Sequence, residues 1–295
     1  MVLVIYLALL WAMLHVSPCV LVYAGESDRS VPDSGAEKRV DDSSGKATTA
    51  PEKGLGAAKI SRNPLTTKVI LPFQINWNLG AGTGRDSTIF APNFQPLIPF
   101  RISDRFNLIT RTVIPVIWLP EIAPGVGPAT GLGDILFTPW FSPVTRGDFV
   151  WGIGPGMLLP TATNQLLGTG KWSIGPSAVA TWVTNQWVTG VFCQNLWSVA
   201  GDSTRPSVNQ LSAQTFVSYA LGQEWYLTSF PLFLADWNAE PKNRWTVPLG
   251  GGFGHIVRVG KQPFDLSVQG YYNVVHPQLG PAWQARFTLA VIFVK

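Results

Sequence analysis

The sequence predicts an all-β chain: an antiparallel transmembrane barrel of the outer-membrane type with about twelve strands. Three observations carry that prediction. Apolar and polar side chains alternate with a period of two, short and long connections take turns between the alternating segments, and tryptophan collects near segment ends. The last segment, PAWQARFTLAVIFVK (281–295), shows the alternation well. Trp283, Ala285, Phe287, Leu289, Val291 and Phe293 fall on one side of an extended strand, with Gln284, Arg286 and Thr288 on the other. A soluble sheet would bury the apolar side in a core, whereas a membrane barrel turns it to lipid and keeps the polar side for its lumen.

Composition favours lipid. Charged residues make up 13% of the chain, about half the share usual in soluble domains, so a soluble form would have a poorly hydrated surface. The isoelectric point near 9.1 does not indicate a nucleic-acid partner, because Lys and Arg are scattered singly and form no basic block.

Residues 1–24, MVLVIYLALLWAMLHVSPCVLVYA, read as an export signal, with Val22 and Ala24 at the positions a signal peptidase recognises. The run lacks a positive start, which leaves an uncleaved anchor helix as the alternative. Val16, Ser17 and Pro18 ahead of Cys19 do not form a lipoprotein signal. Once the signal is removed only Cys193 remains, so no disulfide framework is possible. Residues 25–63 are polar, mixed in charge and poor in large apolar side chains, and they read as a disordered periplasmic tail. The barrel domain is placed at 64–295.

The first strand, in TTKVILPFQINWNLG, sets Val69, Leu71, Phe73, Ile75, Trp77 and Leu79 against Lys68, Gln74, Asn76 and Asn78. Similar segments follow near 89–103, 105–119, 131–142, 148–160, 170–184, 186–199, 207–222, 224–238, 243–257, 262–275 and 282–294. Ser103-Asp104-Arg105, Thr184-Asn185-Gln186 and Gly222-Gln223-Glu224 are tight connections, while PEIAPGVGPATG, TATNQLLGTG, VAGDSTRPSVN, NAEPKNR and VVHPQLGPA are long. With both termini periplasmic, every short turn falls on the periplasmic side and every long loop outside. Trp77, Trp118, Trp197, Trp237, Trp245 and Trp283 lie toward the long loops, and Trp182, Trp187 and Trp225 lie beside tight turns. Two aromatic girdles at headgroup level fit that distribution, and ordinary capping of a soluble barrel is the alternative. The final strand is similar to the C-terminal assembly signal of outer-membrane proteins, although Val294 and Lys295 follow its last aromatic, Phe293. Membrane lipid and the barrel-assembly machinery are the partners expected on these grounds, in the bacterial outer membrane.

Several segments taken in order resemble the putative MetA-pathway of phenol degradation family: QPLIPF (95–100), NLITRTVIPV (107–116), GLGDILFTPWFSP (131–143), and WGIGPGMLLPTAT with LGTGKWSIGP (151–176). The resemblance covers roughly residues 64–293. It implies an outer-membrane, transporter-like channel for small solutes, often hydrophobic or aromatic, and it transfers no catalytic residue and no cofactor.

Alternation followed inward places Lys68, Arg101, Arg111 and Arg286 in the lumen as a basic sector able to attract carboxylates or phenolates. The bland reading pairs these cations with lumen carboxylates, Asp134 or Asp265, and Arg111 with Asp134 in particular. Gln74, Gln95, Gln210 and Gln214 add neutral hydrogen-bonding groups. Pro72, Pro96, Pro99 and Pro115 fall in three consecutive strands and lack the N–H a ladder needs, so the wall there either opens sideways or carries ordinary bulges. A rival class is an outer-membrane lipid hydrolase built on His255 with Ser229 or Ser267, and a second rival is a soluble periplasmic β-sandwich binding protein. No spacing of His, Cys, Asp and Glu in the sequence fits a metal site.

Overall fold

The computed structural model describes residues 55–293 apart from Arg146 and Gln223. The expected signal segment, the expected tail as far as residue 54, and Val294 and Lys295 lie outside the described residues.

A helix, α1 (Leu55–Arg62), precedes the sheet. The strands are β1 (Val69–Ala81), β2 (Ser87–Phe90), β3 (Asn93–Phe94), β4 (Leu97–Arg101), β5 (Phe106–Leu119), β6 (Ala129–Leu132), β7 (Ile135–Pro143) and β8 (Phe149–Leu159). They continue as β9 (Lys171–Val183), β10 (Trp187–Gly201), β11 (Asn209–Ala220), β12 (Trp225–Ser229), β13 (Leu232–Asp236), β14 (Trp245–Val259), β15 (Gln262–Val275) and β16 (Trp283–Phe293). Three staves of the wall are interrupted: β2–β4 together lie between β1 and β5, β6–β7 between β5 and β8, and β12–β13 between β11 and β14. The sixteen segments therefore make twelve staves. β16 pairs antiparallel with β1 from Val69↔Phe293 to Leu79↔Trp283, which closes the ring. Closure leaves no unpaired edge, as a strand structure in hydrocarbon requires.

The alternation read from the sequence decides which way each residue faces. On β16, Arg286, Ala290 and Ile292 are buried inward, while Trp283 and Phe293 are exposed on the outer surface. β1 follows the same rule, with Ile70 and Asn76 buried and Phe73, Trp77 and Leu79 exposed. The outer face is a continuous apolar band carrying cross-strand ring pairs such as Phe73–Phe94 at 4.6 Å and Tyr272–Trp283 at 4.6 Å. Trp77, Phe90 and Trp118 extend one aromatic row around the long-loop end. Phe149–Trp182 and Trp225–Phe253 sit at the tight-turn end.

The breaks have local causes. Pro92 and Pro96 stand in the gaps that divide β2, β3 and β4, and Pro231 stands in the gap between β12 and β13. The expected interruption of three consecutive strands is confined to the second stave. Pro72 stays inside an unbroken β1, opposite Ala290, and Pro115 inside an unbroken β5, opposite Asn93. A proline keeps its carbonyl, and those carbonyls hold the wall: Pro72 accepts from Gln95 N, Pro92 from Val116 N, Pro96 from Thr112 N and Pro115 from Gly133 N.

A second departure concerns the boundary of the tail. Residues 55–62 are helical rather than part of a polar tail running to 63, and the helix lies against the inner faces of β11, β14, β15 and β16. Ala57 and Ala58 pack there with Tyr226, Ile256 and Ile292. Leu65, just beyond the helix, joins an apolar layer with Ile70, Ile109, Trp140, Val179, Phe192 and Phe216 from several staves of the ring. The tight-turn end of the lumen is thereby filled.

Candidate functional site: the lumen and its N-terminal stopper

The stopper is tied to the wall by one buried cluster. Asp265, on the inner face of β15 and 1% exposed, accepts Arg62 Nη2 on both carboxylate oxygens at 2.7 Å. The hydroxyls of Ser61 and Tyr226 also donate to it. The Arg62 guanidinium lies 4.4 Å over the Tyr226 ring and 5.6 Å over Phe230. Gly254 makes this possible: it stands opposite Tyr226 on β14, and a Cβ there would fall 2.0 Å from the tyrosine hydroxyl.

Inside the barrel, with Ser61 and Arg62 in its wall, lies a cavity of about 320 Å³. Arg111 and Arg286 enter it from β5 and β16. Arg286 donates from Nε to Asn76 Oδ1 (3.2 Å), from Nη2 to Gln284 Oε1 (2.9 Å) and from Nη1 to the Phe230 carbonyl (3.0 Å). That carbonyl is free for side chains because β12 stops at Ser229 and Pro231 follows; it also accepts from Gln214 Nε2 at 3.2 Å. Arg111 donates from Nη2 to Gln95 Oε1 at 2.7 Å. Gln95 in turn donates to Gln74 Oε1 (3.3 Å), and Gln74 to Asn76 Oδ1 (3.0 Å). A line of neutral amides thus joins the two guanidiniums. Phe192, Phe230, Val113 and Leu136 supply the apolar part of the wall.

Five of the residues placed in the lumen by alternation meet at this cavity: Gln74, Gln95, Arg111, Gln214 and Arg286. Four do not. Arg101 is at the end of β4 and pairs across the tight turn with Asp104 at 2.5 Å, largely in solvent. Lys68 precedes β1, and Gln210 lies toward the long-loop end of β11; neither lines the cavity. Asp134 occupies the break between β6 and β7, where it accepts from Thr169 N (2.6 Å), Thr169 Oγ1 (2.8 Å) and Ala162 N (3.2 Å). It anchors the loop between β8 and β9, so the expected Arg111–Asp134 pair is not formed. The other expected counter-ion, Asp265, is taken by Arg62. Alternation alone gave no indication of Ser61, Arg62, Tyr226 or the Phe230 carbonyl; the signals available were ISR before Asn63 and the Phe230-Pro231 dipeptide.

The Ser–His arrangement weighed for a hydrolase is not assembled. His255 faces outward with its ring centroid 4.3 Å from that of Trp225, while Ser267 is buried on the inner face. Ser229 lies next to Gly251, four residues along β14 from His255, which is about 13 Å at the usual strand rise. Among the described residues no three His, Cys, Asp or Glu side chains gather as metal ligands.

Known proteins fit this architecture. The chain resembles the crystal structure of the COG4313 outer membrane channel from Pseudomonas putida F1, with a TM-score of 0.55 and 12% identity over 77% of this chain and 96% of that one. More distant likenesses are the NanC porin (TM-score 0.46, 12% identity, 76% of this chain and 100% of that one) and the outer membrane phospholipase A from Escherichia coli (TM-score 0.40, 13% identity, 82% and 98%). No curated protein matches the chain. The family model described as putative MetA-pathway of phenol degradation matches residues 39–274, and with that span covering most of the barrel the chain belongs to this family.

Proposed function

We propose that the protein is an outer-membrane channel for small solutes, with tight turns on the periplasmic side and the segment from Leu55 to Leu65 as its stopper. The observation that carries this reading is the contrast between the two faces of one closed wall. Outside is an apolar band with rings at both ends, and inside is a polar cavity shut by a short helix that an ion pair retains. A stopper that leaves must be held to the wall by non-covalent contacts; α1 runs on through residues 63–68 into β1, and its apolar packing is made mostly by the small side chains Ala57 and Ala58. The family's description points to hydrophobic or aromatic cargo, and the reading is non-enzymic. Insertion into the membrane would proceed through the barrel-assembly machinery acting on β16. Two measurements test the proposal: membrane fractionation of the mature chain, and conductance of the purified chain in planar bilayers. Recovery from the soluble periplasm, or bilayers that stay silent even when the stopper's ion pair is removed, would refute it.

A further inference from the structure

We infer that the cavity between Arg111 and Arg286 is a binding site for one small aromatic carboxylate, occupied while the stopper is in place. This deepens the channel reading and rests on it for its biological meaning. The cavity wall holds three guanidiniums, Arg62, Arg111 and Arg286, against a single carboxylate, Asp265. Arg62 and Asp265 neutralise each other at 2.7 Å, so two positive charges remain without a counter-ion among the described residues lining the cavity. Their partners are amide oxygens and one backbone carbonyl, which satisfy hydrogen bonds and leave the charge uncompensated. Cations held away from water in this way create a strongly positive site and favour an anion.

The form of the anion follows from the rest of the wall. Arg286 spends three donors on the protein, whereas Arg111 gives only Nη2 to Gln95. Arg111 is therefore the clamp, with a planar donor face that matches a carboxylate, and Arg286 adds field. A volume of about 320 Å³ lies at the small end of the roughly 300–1,000 Å³ usual for ligand pockets, which suits one ring. Phe192 and Phe230 would cover that ring, a contact that chloride, phosphate or acetate could not use. A fatty acid would be too long.

Isothermal titration of the full chain in detergent with benzoate, and with benzamide as its neutral counterpart, tests the site. Benzoate should bind and benzamide should bind about ten- to a hundredfold more weakly, the worth of a charge-assisted hydrogen-bonded pair. Arg111→Gln should weaken benzoate by a similar factor and leave benzamide unchanged, with heat-modifiable migration confirming the folded barrel. Arg286→Gln serves as a second variant, with a smaller loss expected. Equal affinity for the two compounds, no benzoate binding, or benzoate binding unaffected by either substitution would overturn the assignment. Conductance without benzoate binding would sink the site and spare the channel; benzoate binding by a protein that never conducts would do the reverse.

Discussion

Replacing Asp265 by Asn should open the lumen. In the closed form the carboxylate meets Arg62 twice at 2.7 Å and also receives Ser61 and Tyr226, all within a buried cluster. The Asn side chain keeps one acceptor and loses the charge, so Arg62 is left as a buried cation without its counter-ion. Breaking a buried pair in this way costs about 3–5 kcal/mol. The cost falls on the closed form, because Arg62 regains water once the segment withdraws. Against it stands the apolar anchorage, Ala57 and Ala58 at 4% and 8% exposure and Leu65 at 3%, worth about 3–5 kcal/mol in all. The substitution therefore removes roughly half of what holds the stopper. With a factor of ten for every ~1.4 kcal/mol, the ratio of closed to open channels should fall by about two to three and a half powers of ten. Single-channel recording in planar bilayers reads this directly as the fraction of time open. An Asp265→Asn barrel that is folded and heat-modifiable but opens no more often than the parent would refute the reasoning. The double change Arg62→Met with Asp265→Leu should restore much of the closure, since no charge is then left unpaired.

Three further outcomes are expected. Gly254→Ala drives a methyl into the Tyr226 hydroxyl and should raise the open fraction in the same assay, though less than Asp265→Asn. Phe287→Arg puts a charge on the lipid face of β16 and should destabilise the barrel by about 2–4 kcal/mol if the site lies near the midplane; the denaturant midpoint in lipid vesicles measures this, and lumen-facing Thr288→Arg should cost distinctly less. Restoring N–H donors beside the broken second stave, with Pro99→Val and Pro115→Val together, tests a lateral route for apolar cargo: uptake of hydrophobic aromatics should fall while small-ion conductance persists, and equal loss of both, or of neither, would argue for an ordinary bulged wall.

The wall was legible because a barrel asks the same thing of nearly every residue. Lipid lies on one side and lumen on the other, so a period of two fixes the face, and the breadth of the apolar face fixes the strand. The reading of 262–275 coincides with β15, and that of 282–294 begins one residue ahead of β16 and ends on a residue outside the described ones. Depth along the barrel is different, because it depends on the stagger between staves, which a single segment does not encode. Alternation assigns both Arg101 and Arg111 to the lumen, yet one ends in a turn with Asp104 and the other reaches the cavity. Asp134 falls where β6 and β7 break, so counting from either side fails there. The stopper was hidden for another reason: an eight-residue helix is too short to announce itself by its own propensity. Its decisive contact joins Arg62 to a residue 203 positions away.

The latch and the proposed carboxylate site share one charge balance, and a last prediction follows from it. With the stopper in place, Arg62 neutralises Asp265, and Arg111 with Arg286 leaves the cavity two positive charges in excess. When the segment withdraws it takes Arg62 with it. Asp265 then faces the lumen uncompensated, the excess falls to one, and a bound carboxylate loses part of the field that held it while gaining a repelling neighbour. The ligand thus binds the closed form better, and by linkage a ligand that prefers one form shifts the population toward it. Benzoate should therefore lower the open fraction of the parent channel, and the effect should vanish in Arg111→Gln. In Asp265→Asn the same charge leaves with the segment, the excess falling from three to two, so benzoate should still favour the closed form by a similar factor, starting from a higher open fraction. Benzamide should do neither. Single-channel records at increasing benzoate separate this from simple plugging: a plug shortens open events in proportion to concentration, whereas preference for the closed form lengthens the closed intervals. An open fraction that rises with benzoate would show that the carboxylate prefers the open lumen, and the charge balance argued from Arg62 and Asp265 would be wrong.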